Sequence, residues 1–250
     1  MSVSERIKLQ PCWVLHRRDF RDSSQIIEVF SRDYGRLAMV ARGVKRPKSR
    51  YRGLLQPFCA LNLSWVAGRE LATMSDAETG AATMSPLMND ALMCGFYLNE
   101  LMLKLTHRFD PHPELFALYA EAIRRLSGHQ NLAAILREFE WHFLREIGFG
   151  IDLSGEAETG APLQADQRYC VAVDQGVIVA GSEDRDNDTY SGEILIAIDR
   201  FDWQQPATLA AAKRILGRAI DRQLDGKTLH SRRIVREMRR DYSSNQRETQ

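Results

Sequence analysis

Hydrophobic residues recur at every second position in the first third of the chain and at every third or fourth position in most of the rest. The alternation predicts five short strands, over residues 11–18, 24–32, 36–42, 58–66 and 71–78. In the fourth of these, Cys59, Leu61, Leu63 and Trp65 alternate with small or polar neighbours. The turn Arg32-Asp33-Tyr34-Gly35 joins the second and third strands, and Ala67-Gly68-Arg69-Glu70 joins the last two, both as hairpins. Five strands with one long connection, between the third and fourth, suit a small closed barrel of the oligonucleotide-binding (OB) type. An SH3-like barrel would produce the same pattern.

From residue 85 the period changes. Ser85-Pro86 reads as an N-cap followed by a first-turn proline. Leu87, Ala91, Cys94, Leu98, Leu101 and Leu105 then predict one amphipathic helix, broken by Pro111 and Pro113. A second runs from Leu115 to Leu126 and a third from Leu132 to Ile147. Residues 148–190 are punctured by glycine, with one short hairpin around Asp174-Gln175-Gly176. Helical spacing returns over 191–201, 207–224 and 230–240, ahead of a polar tail. The expected fold class is α+β and multidomain: an OB-type barrel over 1–80, an all-helical domain over 84–241 with an irregular insert near 150–182, and a tail over 242–250.

The net charge of +1 hides strong segregation. Arg36, Arg42, Lys45, Arg46, Lys48, Arg50, Arg52 and Arg69 fall in a stretch, 34–69, with no Asp or Glu. Most of them lie in the long connection between strands three and four. Eight cations without a neighbouring counter-charge form a candidate site for a polyanion, most naturally a phosphate backbone. A solvated basic loop is the bland alternative. Tyr34 and Tyr51 flank charged turns and are candidates to stack on bases, whereas Phe58 and Trp65 are expected to fill the barrel. A second basic set, Arg214, Arg218, Arg222, Lys227, Arg232, Arg233, Arg236, Arg239 and Arg240, has three readings. It extends the DNA surface, rims a groove for an acidic peptide with an apolar end, or is a solvated helix face.

No catalytic constellation is visible. The chain has no GxxxxGK[ST], no HExxH and no GxSxG, and Gly148-Phe149-Gly150 lacks the third glycine of a dinucleotide fingerprint. Cys12, Cys59, Cys94 and Cys170 are scattered, so neither a disulfide framework nor a zinc site is expected. The N-terminus has no apolar signal-peptide core and no run approaches a membrane span. A cytoplasmic binding protein, not an enzyme, is the expectation.

Four segments carry a family resemblance: ARGVKRPKSRYRGLLQPF (41–58), YLNELMLKL (97–105), LREFEWHFLREIGFG (136–150) and LDGKTLHSRRIVREM (224–238). Together and in this order they resemble the RecO recombination mediators. The resemblance implies an OB barrel followed by a helical domain with a zinc-ribbon-like insert. It implies DNA repair by the RecF pathway, binding of single- and double-stranded DNA, and annealing of complementary strands. It further implies engagement of the acidic tail of single-strand binding protein, contact with RecR, and help in loading RecA. Many members carry four cysteines in the insert. This chain has only Cys170 there, so a metal-free insert and no cofactor are expected. The predicted DNA-binding set is Tyr34, Arg36, Arg42, Lys45, Arg46, Lys48, Arg50, Tyr51 and Arg52, and the predicted peptide-binding set is Arg218, Arg222, Lys227, Arg232 and Arg233. A monomer associated with the nucleoid is expected. An RNA-binding OB-fold adaptor without annealing activity is the alternative.

Overall fold

The computed structural model describes residues 5–68, 71–80, 85–128, 131–181 and 189–234. The expected polar tail, most of the helix predicted over 230–240, and Arg69 lie outside them. Five strands, β1 (Arg6–Phe20), β2 (Ser24–Ser31), β3 (Gly35–Ala41), β4 (Ala60–Val66) and β5 (Ala72–Thr79), form a closed barrel in the order β1-β2-β3-β5-β4. Strand β1 closes it. Its first half pairs with β4 (Ile7 opposite Trp65) and its second half with β2 (Trp13 opposite Phe30). Strands β3 and β5 pair in parallel and the other neighbours are antiparallel. This connectivity is of the OB type. Full closure leaves no sheet edge exposed.

Strand β1 starts five residues before the predicted position. Only Ile7 of that first half is buried in the core, between exposed Arg6 and Lys8, so the alternation there is hidden. The apolar run Cys12–Leu15 is continuous because both faces of β1 are covered. Cys12 and Val14 point into the barrel core with Ile27, Val29, Leu37, Met39, Leu61, Leu63 and Trp65. Trp13 and Leu15 instead meet helices.

Those helices are α1 (Asn89–Leu105) and α2 (Pro113–Ser127). The Trp13 ring stands edge-on to Tyr119 at 5.5 Å, and Phe30 packs on Phe116 at 5.8 Å. Asn99 Nδ2 donates to the Leu15 carbonyl at 2.7 Å, and the Tyr119 hydroxyl donates to Asn99 Oδ1. All of these polar groups are buried and paired, as a dry interface requires. Helix α1 begins at Asn89, not at the expected Ser85-Pro86, and Met88 occupies the N-cap without a side-chain hydrogen bond. Leu87 is buried and, with Phe58, lies against Gly95 of α1, which holds 85–88 out of the helix. Phe58 thus serves this contact and its edge-on packing with Phe96 at 5.2 Å, correcting its expected place inside the barrel. Trp65 is in the barrel core, as expected.

The chain divides into two compact units, Met1–His129 with Leu229–Gln250, and Gln130–Thr228. In the first, Glu100 of α1 accepts hydrogen bonds from the backbone amides of His230 (2.8 Å) and Ser231 (2.9 Å) and from Ser231 Oγ (2.7 Å). Burial alone would raise the Glu100 pKa, but these donors and Lys104 hold it below the usual carboxylate value. A carboxylate from one helix therefore caps the helical turn that begins at His230.

The second unit holds α3 (Leu132–Glu146), α4 (Gly192–Asp199) and α5 (Pro206–Gln223), with an antiparallel sheet of β6 (Arg168–Ala172), β7 (Gly176–Val179) and β8 (Thr189–Ser191) in the order β7-β6-β8. The predicted hairpin is β6–β7; strand β8, beyond residue 182, completes the module. Tyr169, Val171, Val177 and Tyr190 are buried there, and the Tyr169 hydroxyl accepts from the Gln164 amide at 2.9 Å. Burial of these two tyrosines and two valines, with one phenol hydrogen-bonded to the main chain, holds this module together.

Gly35 combines a positive φ of 65° with an approach so close that a Cβ would overlap the Asp110 backbone. The adjacent Arg36 carbonyl accepts from the Phe109 amide at 2.9 Å, so the segment after α1 runs directly along β3. Gly35→Ala is expected to cost about 2–4 kcal/mol, because backbone strain and a backbone clash coincide. Thermal unfolding followed by circular dichroism checks this. An unchanged midpoint would mean that residues 109–110 do not lie on the barrel.

Candidate nucleic-acid interface

Residues 42–59 join β3 to β4 as a chain of turns without a regular helix. Two apolar side chains fold back into the barrel: Val44 is 4% exposed and Leu55 2%. Tyr51, Leu54 and Cys59 pack partly against the same core. The main chain is tied at both ends. The Lys45 amide donates to the Ser23 carbonyl at 3.0 Å, and the Phe58 amide donates to the Val14 carbonyl at 3.2 Å. Between these anchors, turns bond Arg46 to Gly43, Ser49 to Arg46, Arg52 to Ser49 and Leu54 to Tyr51. With the apolar residues inward, Arg42, Lys45, Arg46, Lys48, Arg50 and Arg52 are all exposed. The structure therefore brings six of the predicted cations onto one short, anchored segment.

The expectation that these cations lack counter-charges is corrected. Carboxylates arrive from strands distant in sequence. Lys45 Nζ lies 2.7 Å from Asp19 Oδ2 at the end of β1, and Arg50 Nη2 lies 2.7 Å from Asp76 Oδ1 on β5. Arg50 also donates to the Tyr51 hydroxyl at 2.6 Å and lies 4.8 Å from the centre of the Tyr51 ring, so its pKa rises through Tyr51 first and Asp76 second. Among the described residues, Arg42, Arg46, Lys48 and Arg52 form no ion pair. These four are the uncompensated charge of the loop.

Two predicted contact residues are committed elsewhere. The Arg36 guanidinium donates to Thr106 Oγ1 (3.2 Å), to the Thr106 carbonyl (2.8 Å) and to Glu28 (3.3 Å), and Glu28 also pairs with Arg108. Burial, its main cause, lowers the Arg36 pKa from its free value. Arg36 thus fastens the end of α1 to the barrel, a duty invisible in a sequence where its partners lie up to 70 residues away. Tyr34 stands edge-on to Trp65 at 5.3 Å. It precedes β3, whereas the basic loop follows it, so a seven-residue strand of about 20 Å separates the two. There Tyr34 lines a separate apolar pocket of about 290 Å³ with Ile7, Leu37, Trp65, Ala72 and Phe109.

The structure adds a residue that charge counting missed. Arg17 of β1 lines a groove of about 420 Å³ with Gln25, Lys45, Tyr51, Arg52 and Gln56. Arg17 is exposed beside Arg18, and the signal was two cations ending an apolar strand. The groove is the concave part of the basic surface.

The predicted peptide-binding cations are distributed over both units. Arg218, Arg222 and Lys227 belong to the unit Gln130–Thr228, and Arg232 and Arg233 to the other. Arg218 donates to the Tyr190 hydroxyl at 3.0 Å, and Arg222 pairs with Asp174. Arg232 donates to the Tyr97 hydroxyl at 3.2 Å and sits over its ring at 5.5 Å. Among the described residues no group of three His, Cys, Asp or Glu side chains could hold a metal ion. The insert offers Cys170 as its one cysteine, half-buried on β6, so its donor set does not fit a four-cysteine zinc site. Burial raises the Cys12 thiol to about 12 and also raises Cys59, which leaves both poor nucleophiles. No helix among the described residues is long and apolar enough to cross a membrane.

Two family models match the chain: Recombination protein O N terminal over residues 6–82, and Recombination protein O C terminal over residues 89–233. Among similar proteins, the DNA repair protein RecO of Azoarcus sp. (strain BH72) is 41% identical over 242 residues, covering 95% of this chain and 99% of the relative. The DNA repair protein RecO of Aromatoleum aromaticum is 40% identical over 239 residues, covering 95% and 99%. That of Nitrosococcus oceani is 41% identical over 235 residues, covering 94% and 95%.

The anchors and the cations are separable. Leu55→Ala is expected to destabilise the protein by about 2–5 kcal/mol, because it opens a cavity at the barrel end. Arg46→Ala with Lys48→Ala is expected to shift stability by no more than about 0.5 kcal/mol per site, both side chains being solvated. Denaturant titration distinguishes them. Equal losses would show that the loop is held by its charges instead of its buried side chains.

Proposed function

The chain belongs to the RecO family of DNA repair proteins, and from that premise we propose that its basic loop binds the phosphate backbone and promotes annealing of complementary strands. The observation that carries this reading is the pairing of an anchored backbone with outward cations. Val44 and Leu55 are buried, while Arg42, Arg46, Lys48 and Arg52 are exposed and free of ion pairs among the described residues. A loop backbone fixed before the ligand arrives loses little conformational entropy on binding. By neutralising phosphates on two strands together, the loop lowers the repulsion that keeps them apart. The chemistry is positional and electrostatic, so in this reading the protein is a mediator and not an enzyme.

The same family membership is the support for the remaining parts of the proposal. The protein acts in the RecF pathway on chromosomal DNA in the cytoplasm, takes single- and double-stranded DNA, engages the acidic tail of single-strand binding protein, and helps RecR to load RecA. For the acidic tail, the cations of the C-terminal third are the candidates. Arg218, Arg222 and Arg232 already hold internal partners, so an incoming carboxylate must compete with them or use Lys227.

Annealing of complementary oligonucleotides coated with single-strand binding protein, run across a salt series, tests the reading. With six or more phosphates engaged, affinity is expected to fall about 10³–10⁵-fold between 50 and 200 mM salt. Lys45→Ala, Arg46→Ala and Lys48→Ala together are expected to make the plot of log K against log salt shallower by about 2 for single strands. Annealing should slow in parallel. An unchanged slope and rate in the triple variant would remove the loop from the DNA surface, and tighter binding of RNA than of the same DNA sequence would favour an RNA adaptor.

A further inference from the structure

The Asp19 carboxylate holds two of the side chains that line the groove beside the basic loop. Its Oδ2 accepts from Lys45 Nζ at 2.7 Å and its Oδ1 accepts from Gln25 Nε2 at 3.2 Å. Lys45 and Gln25 both line the groove, with Arg17 and Arg52 completing its cationic rim. One planar anion thus bridges two donors, a cation and an amide, carried by residues that line a concave basic surface. This is the contact pattern that two oxygens of a phosphodiester would make. Asp19 is itself 65% exposed at the side chain, so a strand can reach it from solvent.

The groups around it are accounted for. The Lys45 main chain is fixed independently, because its amide bonds to the Ser23 carbonyl. Gln25 sits on β2 opposite Ala41 of β3, in the regular ladder. The main chains that carry both donors are therefore held whether or not Asp19 is between their side chains. The Asp19 pKa is held below the ordinary carboxylate value, through Lys45 first and Gln25 second, with Arg17 contributing at longer range. The carboxylate is fully ionised near neutral pH.

We propose that the groove is a phosphodiester-binding subsite and that Asp19 is its built-in competitor, a carboxylate that takes the two donors a backbone phosphate of the nucleic acid would otherwise take. The inference rests on the DNA-binding reading of the basic loop and adds to it a specific position and a means of limiting affinity. A strand entering the groove displaces Asp19 from Lys45 and Gln25, and a strand leaving is replaced by it. Release of a bound strand then does not leave two donors bare, so annealed product comes off more readily than from a groove lined by cations alone.

Asp19→Asn tests this, since it keeps the size and removes the charge. Binding of a fluorescent oligothymidylate is measured by anisotropy across a salt series, for the wild type, Asp19→Asn, Lys45→Ala and the double variant. Asp33→Asn is the control: that carboxylate pairs with Arg32 in the β2–β3 turn, away from the groove. The expected result is affinity about threefold to tenfold higher in Asp19→Asn at low salt, with the slope little changed, because Lys45 meets phosphate in both proteins once the strand is bound. The gain should disappear in the Lys45→Ala background and be absent in Asp33→Asn. Unchanged or weaker binding in Asp19→Asn overturns the proposal. So does an equal gain in Asp33→Asn or in the Lys45→Ala background, which would mark a general effect of net charge. If the triple loop variant binds DNA like the wild type, both this inference and the loop reading fall. If that variant is weakened while Asp19→Asn changes nothing, only the competitor is lost.

Discussion

Burial of Val44 and Leu55 in the end of the barrel is the constraint on which the rest of the site depends. A connection as long as that between β3 and β4 would ordinarily be the most variable part of a small barrel. Here two apolar side chains go down into the core, and backbone hydrogen bonds tie the segment to Ser23 and Val14. The remaining side chains have one way left to point. Cations that would repel one another in a free loop are held apart along a fixed path, and the cost of gathering them is met by hydrophobic burial at the loop's two anchors.

Closure of the barrel is the second condition, and β1 provides it by serving two neighbours with its two halves. The outer face of the same strand is covered by α1 and α2, through Trp13 on Tyr119 and through the buried chain from the Leu15 carbonyl to Asn99 to the Tyr119 hydroxyl. One strand therefore links the shape of the barrel to the helices packed on it. Arg36, Gly35 and the segment at Phe109 fasten the end of α1 to β3. The barrel end that carries the basic loop is left free of these helix contacts at Arg42, Arg46, Lys48 and Arg52.

Much of this was legible in the sequence because it is periodic. Leu61, Leu63 and Trp65 alternate, and the helices carry their apolar stripes openly. The misses share a cause, which is that the decisive partner is remote in the chain. Asp19 and Asp76 each lie 26 residues from the cation they pair with, so a stretch without acids looked uncompensated when two of its charges are matched in space. Arg36 counted among the DNA-contacting cations although its ligands sit on β2 and at the end of α1. Arg17 was overlooked because it belongs to a strand and only the fold brings it to the loop. The start of α1 was misplaced because Leu87 is drawn out to pack on Gly95, a tertiary preference stronger than the cap signal at Ser85-Pro86. The third strand of the insert sheet was missed because it contributes only three residues.

Hydrogen exchange with and without a single-stranded oligonucleotide addresses the central claim most directly, because it reports where the strand lies without altering any residue. Protection on binding is predicted within residues 42–56 and at the facing end of β1 and β2, residues 17–25. Protection confined to residues 206–234, or none on the barrel, would contradict the account.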